Sequence, residues 1–231
     1  MIGILGGMGT QAGLDFCNKL AKLNRWKLDQ QYPMFVLYNK SNTPKRPENL
    51  KKYYNVLNAL IDGCKMLQKN KCKFIVMPCN TAHYWHNDIQ KKIKIPLLSM
   101  PKEVYLHTKK TCKKNSTIGI LCTEATLKTK VYNNYFDKKF KLISPKKNFQ
   151  KYSVNKSIKL VKMGKVKEAE LALRPAVKHL IKKKCKKIIL GCTELPIAIF
   201  AYKSFRKAKQ SKLFIDPNLL LAEVCMKKYK R

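Results

Sequence analysis

Cys72-Lys73-Phe74-Ile75-Val76-Met77-Pro78-Cys79 returns in altered form as Cys185-Lys186-Lys187-Ile188-Ile189-Leu190-Gly191-Cys192. Both cysteines, a lysine and an isoleucine stay in register at a constant offset of 113 residues. In each copy an apolar, β-branched run reads as a buried strand, ended by Pro78 or Gly191 just before a cysteine. Each cysteine then stands at the carboxyl end of a strand, the edge at which open α/β sheets bind ligands. Asn80-Thr81 and Thr193-Glu194 are residue types suited to open the next helix in each copy. A second echo sets Met1-Ile2-Gly3-Ile4-Leu5 against Thr117-Ile118-Gly119-Ile120-Leu121, offset by 116 residues. The repeat predicts an α/β protein of two pseudo-symmetric doubly wound domains, each around a parallel sheet, with two thiols facing a shared cleft. One domain is expected to take residues 1–98 plus 206–231 and carry Cys79; the other takes residues 99–205 and carries Cys192.

A chain of 231 residues with 45% hydrophobic content can bury two small cores. The formal net charge is +37 and the sequence pI about 10.0, values that suit a nucleic-acid or anionic-membrane partner. The lysines, however, are scattered through almost every segment. Arginine, the better bidentate reader of phosphates and bases, occurs only at positions 25, 46, 174, 206 and 231. The charge reads as a lysine bias on solvated faces whose field draws small anions toward the cleft, with no specific nucleic-acid partner.

The nine cysteines are odd in number and contain no Cys-x-x-Cys pair, which points to free thiols in a reducing cytoplasm. Cys72 and Cys79 cannot share a metal, because seven residues of extended strand separate them by roughly 23 Å; Cys185 and Cys192 are excluded in the same way. His83 and His86 lie one helical turn apart without a third nearby ligand, so helix-surface or supporting roles outweigh zinc. The apolar start Met1–Leu5 is too short for a secretory or membrane segment.

Ile2–Leu5 reads as the opening strand, followed by the loop Gly6-Gly7-Met8-Gly9-Thr10 and a helix over about Gln11–Lys27 with Leu14, Cys17, Leu20 and Leu23 or Trp26 on one face. Such a loop brings backbone N–H groups, here at Met8 and Gly9, toward an anion. The spacing does not match a dinucleotide fingerprint, so a small carboxylate is the more natural guest, with a tight turn that binds nothing as the other reading. Next come a strand over Met34–Tyr38 and a loop carrying Arg46 between Pro44 and Pro47. Two readings of Arg46 stand, a bidentate carboxylate grip and a solvated loop arginine. Helices are expected over about Glu48–Asn70 and Ala82–Lys92, with Phe74–Met77 between them and Ile95–Leu98 closing the first half. In the second half Cys122-Thr123-Glu124 replaces the glycine loop. Helices near Thr126–Phe136, Asn155–Lys162 and Val166–Lys184, strands at Phe140–Ile143 and Leu213–Ile215, and a final helix over Asn218–Lys228 complete the plan.

A cysteine at a helix N-terminus has its thiolate stabilised by oriented N–H groups. Two such thiols on opposite faces of a bound carbon form a general base and a general acid, the arrangement for a 1,1-proton transfer that inverts an amino acid. Hydroxyls and N–H groups around Asn80, Thr81, Thr123 and Thr193 can stabilise the carbanion through its carboxylate. The plainer alternative is a pair of inert buried cysteines.

Ile4-Leu5-Gly6-Gly7-Met8-Gly9, Met77-Pro78-Cys79-Asn80-Thr81-Ala82-His83 and Gly191-Cys192-Thr193-Glu194-Leu195-Pro196 together resemble the aspartate/glutamate racemase superfamily, over nearly the whole chain and in particular its aspartate racemase branch. The resemblance implies cofactor-independent racemisation of a small amino-acid substrate by Cys79 and Cys192, and a homodimer. It also implies that Met8, Gly9, Asn80, Thr81, Thr123, Thr193 and Glu194 line the substrate site, with Arg46 and Lys162 on the side-chain carboxylate and no metal. Thr10 stands where the family usually has proline, and Lys45 where it usually has aspartate beside the arginine; the second departure bears on substrate choice. Racemisation of glutamate or another amino acid, and a catalytically silent acid-binding protein, are the alternatives on the same scaffold.

Overall fold

Alternate residues of the first strand, β1 (Ile2–Gly6), feed two different cores, and this dictates the layering of the first half. The structure is a computed structural model that describes residues 1–24, 28–44, 54–136, 139–201 and 212–229. Ile2 and Ile4 pack with Phe16 and Leu20 of α1 (Thr10–Leu23) and with Leu221, Ala222 and Cys225 of the closing helix Pro217–Tyr229. Leu5 faces the other way, onto Val56, Leu60 and Cys64 of α2 (Tyr54–Lys69). Side chains of a strand alternate between its faces, so a sheet apolar on both is covered on both. β2 (Phe35–Asn39) and β3 (Phe74–Val76) flank β1 in the parallel order β2-β1-β3. Leu97 adds a parallel bridge beside Ile75.

The second half repeats this plan. β4 (Thr117–Cys122) is flanked by β5 (Lys141–Ile143) and β6 (Lys187–Gly191), and β7 (Phe214–Ile215) extends the parallel sheet to the order β5-β4-β6-β7. Gly3 and Gly119 show why the two copies share a sequence. A Cβ on Gly3 would lie 3.2 Å from the Cys72 sulfur, and one on Gly119 would lie 3.2 Å from the Cys185 sulfur. Each repeat therefore pairs a small residue in its first strand with the cysteine that opens its third.

Two compact units result, Met1–Glu103 with Asn218–Arg231, and Val104–Pro217. The second unit runs beyond the expected residue 205, because Phe214–Ile215 pairs with β6, and the chain returns to the first unit after Pro217. Local departures from the sequence reading have physical causes. α1 buries Ala12, Gly13, Phe16 and Leu20, leaving Leu14 exposed, so the buried stripe lies to one side of the expected face. Lys130, with φ of 53°, breaks the helix expected over 126–136 into α5 (Glu124–Thr129) and α6 (Asn133–Phe136). The helix expected over 155–162 starts earlier: α7 (Lys147–Phe149), a π-helical segment Gln150–Asn155 and α8 (Lys156–Lys162) succeed one another without a break. No helix among the described residues is long and apolar enough to cross a membrane.

Candidate active site

In each sheet the chain order reverses beside the first strand, and ligands of open α/β sheets bind in the crevice outside the strand ends at such switch points. In the first unit β1 and β3 flank that point, with Ile4 opposite Val76. The end of β1 delivers Gly7, Met8 and Gly9, and the end of β3 delivers Met77, Pro78, Cys79, Asn80 and Thr81. Gly7 has φ of 88°, and a Cβ there would sit 2.2 Å from the Lys40 carbonyl carbon, so the loop is shaped by a close backbone approach. In the second unit β4 and β6 flank the switch point, with Cys122 opposite Gly191, which sets Thr123 and Cys192 one residue beyond paired positions.

Cys79, Asn80 and Thr81 are all buried. They lead into a five-residue 3-10 helix, Thr81–Trp85, and only then into α3 (His86–Gln90), where a longer helix is expected from the sequence. The N–H of Cys79 donates to the Met77 carbonyl at 2.7 Å, and the carbonyl of Cys79 faces Nδ1 of His83 at 2.9 Å. His83, read from sequence as a surface or supporting residue, is buried. Its Nε2 accepts from the N–H of Met100 at 3.1 Å, at the start of α4 (Met100–Thr111).

The second unit gathers three of the residues expected from sequence around the carboxylate of a fourth, Glu194. The Cys192 thiol donates to Glu194 Oε2 at 3.0 Å, Thr193 Oγ1 donates to the same oxygen at 3.2 Å, and Lys162 Nζ stands 3.5 Å from Glu194 Oε1. Cys192, Thr193 and Glu194 are buried. Burial, then the charge of Glu194 and its hydrogen bond, hold the Cys192 thiol well above the ordinary thiol range. Cys192 therefore fits the protonated partner of the expected pair, and the helix that follows it, Leu195–Phe200, has only six residues. Thr123 caps α5, its hydroxyl oxygen accepting from the Thr126 N–H at 3.2 Å.

Burial alone pushes the thiol of Cys64 up to about 12, and burial is the main cause that takes those of Cys17 and Cys185 to about 11; all three lie away from the strand ends in question. Arg46 lies outside the described residues. Sequence reasoning missed a polar chain behind Cys122. Gln150 Nε2 donates to the Cys122 carbonyl at 2.8 Å and to Asn155 Oδ1 at 2.9 Å, and Asn155 Nδ2 donates to Glu124 Oε1 at 2.7 Å. No motif announces these residues, which meet because the π-helical segment turns Gln150 inward.

Residues 5–225 match the family described as Asp/Glu/Hydantoin racemase. A broad specificity amino-acid racemase of Bacillus subtilis is 29% identical over 202 residues, covering 84% of this chain and 86% of that protein. Among solved structures, the aspartate racemase of Picrophilus torridus superposes with a TM-score of 0.83 at 29% identity, covering 99% of this chain and 94% of that one. An aspartate racemase homologue from Pyrococcus horikoshii gives 0.78 at 22% identity, covering 100% and 99%, a likeness of fold. With its strand-end cysteines, its two parallel-sheet units and this match over most of its length, the chain belongs to the Asp/Glu/hydantoin racemase family and is an amino-acid racemase.

Proposed function

We propose that the chain interconverts the enantiomers of an acidic amino acid, aspartate first, by a cofactor-independent 1,1-proton transfer between Cys79 and Cys192. The observation that carries this reading is the position of the two cysteines, each one to three residues past the end of the third strand of its repeat, at a switch point. The likeness to the Picrophilus torridus aspartate racemase supports the choice of substrate.

In the forward step the Cys79 thiolate takes the α-proton and the Cys192 thiol gives its proton to the opposite face. Cys79 ends as the thiol and Cys192 as the thiolate; the reverse reaction exchanges their roles. Between turnovers Glu194 takes the Cys192 proton and passes it to solvent while the Cys79 thiolate takes one up, which readies Cys192 as base and makes Glu194 a proton relay for the thiol and not only a substrate contact. The α-carboxylate and α-ammonium are held by Asn80, Thr81, Thr123, Thr193 and the backbone at Met8 and Gly9. Arg46 and Lys162 take the side-chain carboxylate. The Lys162 side chain is 57% exposed, so its pairing with Glu194 is a weak, solvent-screened contact that a substrate carboxylate can replace. The working form is a cytoplasmic homodimer.

A broader substrate range is the second reading. It is favoured by the Bacillus subtilis relative, a broad specificity racemase, and by Lys45 beside Arg46. The test is proton NMR of L-aspartate in D₂O under reducing conditions, with a chiral assay for the D-enantiomer. Loss of the α-proton signal with matching D-aspartate is the expected result. Exchange in other amino acids but not aspartate selects the broader reading, and no exchange across a panel overturns the two-thiol mechanism.

A further inference from the structure

We propose that His83 is the positioning residue of Cys79, its imidazole holding the Cys79 carbonyl so that the thiol keeps a fixed place beyond the end of β3. The partners set the tautomer. Met100 N–H donates to Nε2, so Nε2 carries no proton; in the neutral ring the proton is then on Nδ1, which donates to the Cys79 carbonyl. Burial pushes the His83 pKa down to about 4, and the neighbouring His86 adds to that effect, so this neutral form is the one present near pH 7.

The ring is clamped as well as bonded. His86 stacks on it with centroids 6.0 Å apart and planes 12° from parallel, and His86 is itself anchored by Nε2 to the Leu97 carbonyl at 2.8 Å. The imidazole thus links the Cys79 peptide to the stretch leading into α4. The Cys79 N–H bonds only two residues back, and the next element, the 3-10 helix, has five residues with no side-chain cap from Asn80. The carbonyl and the thiol share the Cys79 Cα, so a tilt of that peptide swings the sulfur. A displacement of 1 Å at a reacting atom costs about 100-fold in rate.

The proposal rests on the two-thiol reading for its catalytic consequence but not for its test. The amide nitrogen of asparagine stands as far from Cβ as Nδ1 does, whereas the oxygen of glutamine reaches as far as Nε2. His83→Asn therefore preserves the Cys79 bond and His83→Gln the Met100 bond. The alkylation rates of Cys79 and Cys192 by iodoacetamide, tracked by peptide mass spectrometry, report position without any turnover; kcat and KM are measured beside them.

In His83→Gln and His83→Ala the Cys79 alkylation rate changes at least about fivefold with Cys192 unchanged, and kcat falls about 100-fold with KM nearly constant. His83→Asn restores both readouts. Rescue by glutamine and not asparagine would overturn the proposal, since His83 would then serve the start of α4. So would unchanged Cys79 alkylation in all three variants, or failure of both amide variants to fold. A protein inactive on every amino acid would remove the racemase reading while leaving the alkylation result to decide this one.

Discussion

The Cys192 thiol is aimed at the Glu194 carboxylate, with its sulfur 3.0 Å from Oε2 and both side chains buried. A carboxylate so close favours the thiol over the thiolate twice, by charge and by accepting the S–H bond. In the proposed mechanism Cys192 donates its proton in the forward step, and Glu194 carries that proton to and from the thiol between turnovers.

Glu194→Gln keeps an oxygen acceptor of the same shape and removes the charge. Since that charge raises the thiol pKa, its loss lowers it, and the pH dependence of Cys192 alkylation moves to lower pH. Racemisation falls by about 100-fold, the usual scale for losing one general acid–base group. An alkylation profile that stays in place or moves upward contradicts the assignment of Glu194 to the thiol.

Replacing either thiol by an alcohol leaves a group too weakly acidic to serve. Cys79→Ser and Cys192→Ser each lower racemisation by about 10³-fold or more. The surviving thiol still reaches one face of the substrate, so each variant washes deuterium into one enantiomer without inverting it, and the two variants choose opposite enantiomers. Wash-in of both enantiomers by one single variant would exclude a two-base mechanism.

Lys162→Ala removes a cation from the proposed side-chain carboxylate subsite and from beside Glu194. The KM for aspartate rises about tenfold, the worth of one charge-assisted hydrogen bond. The KM for an amino acid without a side-chain carboxylate stays where it was. Lys162 also pulls the Cys192 pKa down, against the larger effects of burial and Glu194, so its loss moves the thiol further up. Steady-state kinetics on the two substrates and the Cys192 alkylation profile check the two effects separately.

The repeat carries the part of this design that is readable from sequence. Cys79 and Cys192 stand after strands because β-branched runs ended by Pro78 and Gly191 have few other ways to fold, and Gly3 and Gly119 recur because each makes room for a cysteine. The features hidden from sequence depend on contacts between distant segments. Leu14 is apolar yet exposed because the packing of Phe16 and Leu20 sets the rotation of α1. Gln150 reaches the Cys122 carbonyl through a π-helical segment that no local propensity marks. Glu194 reads as a substrate ligand in the motif, and only its side-chain rotamer reveals that it accepts from the neighbouring thiol.

His83 gives the folded state a pH dependence of known sign. Its pKa is about 4 in the native protein against 6.5 for the free side chain, so between these values the unfolded chain binds more protons. Its contribution to stability is complete above pH 6.5 and is lost as pH falls toward 4, amounting to about 3 kcal/mol at most. Urea unfolding at pH 7, 5.5 and 4.5 shows the decline in the native protein. His83→Gln flattens that part of it.

Gly7 and Gly164 both hold positive φ, at 88° and 75°, but in different surroundings, and the pair separates backbone strain from steric conflict. A Cβ on Gly164 meets nothing within 4 Å, so Gly164→Ala bears the conformational strain alone, about 1 kcal/mol. A Cβ on Gly7 would stand 2.2 and 2.3 Å from the carbon and oxygen of the Lys40 carbonyl and 2.6 Å from the Ser41 nitrogen. Backbone cannot rotate away as a side chain does, so Gly7→Ala forces the loops after β1 and β2 apart and costs about 3 kcal/mol or more. Denaturant unfolding measures the two losses, and their difference isolates the clash. The loop after β1 also carries Met8 and Gly9, so aspartate turnover falls in Gly7→Ala beyond what its folded fraction explains, while in Gly164→Ala activity tracks the amount of folded protein. Equal stability losses in the two variants would mean that the Lys40 backbone yields freely and that the close approach does not shape the loop.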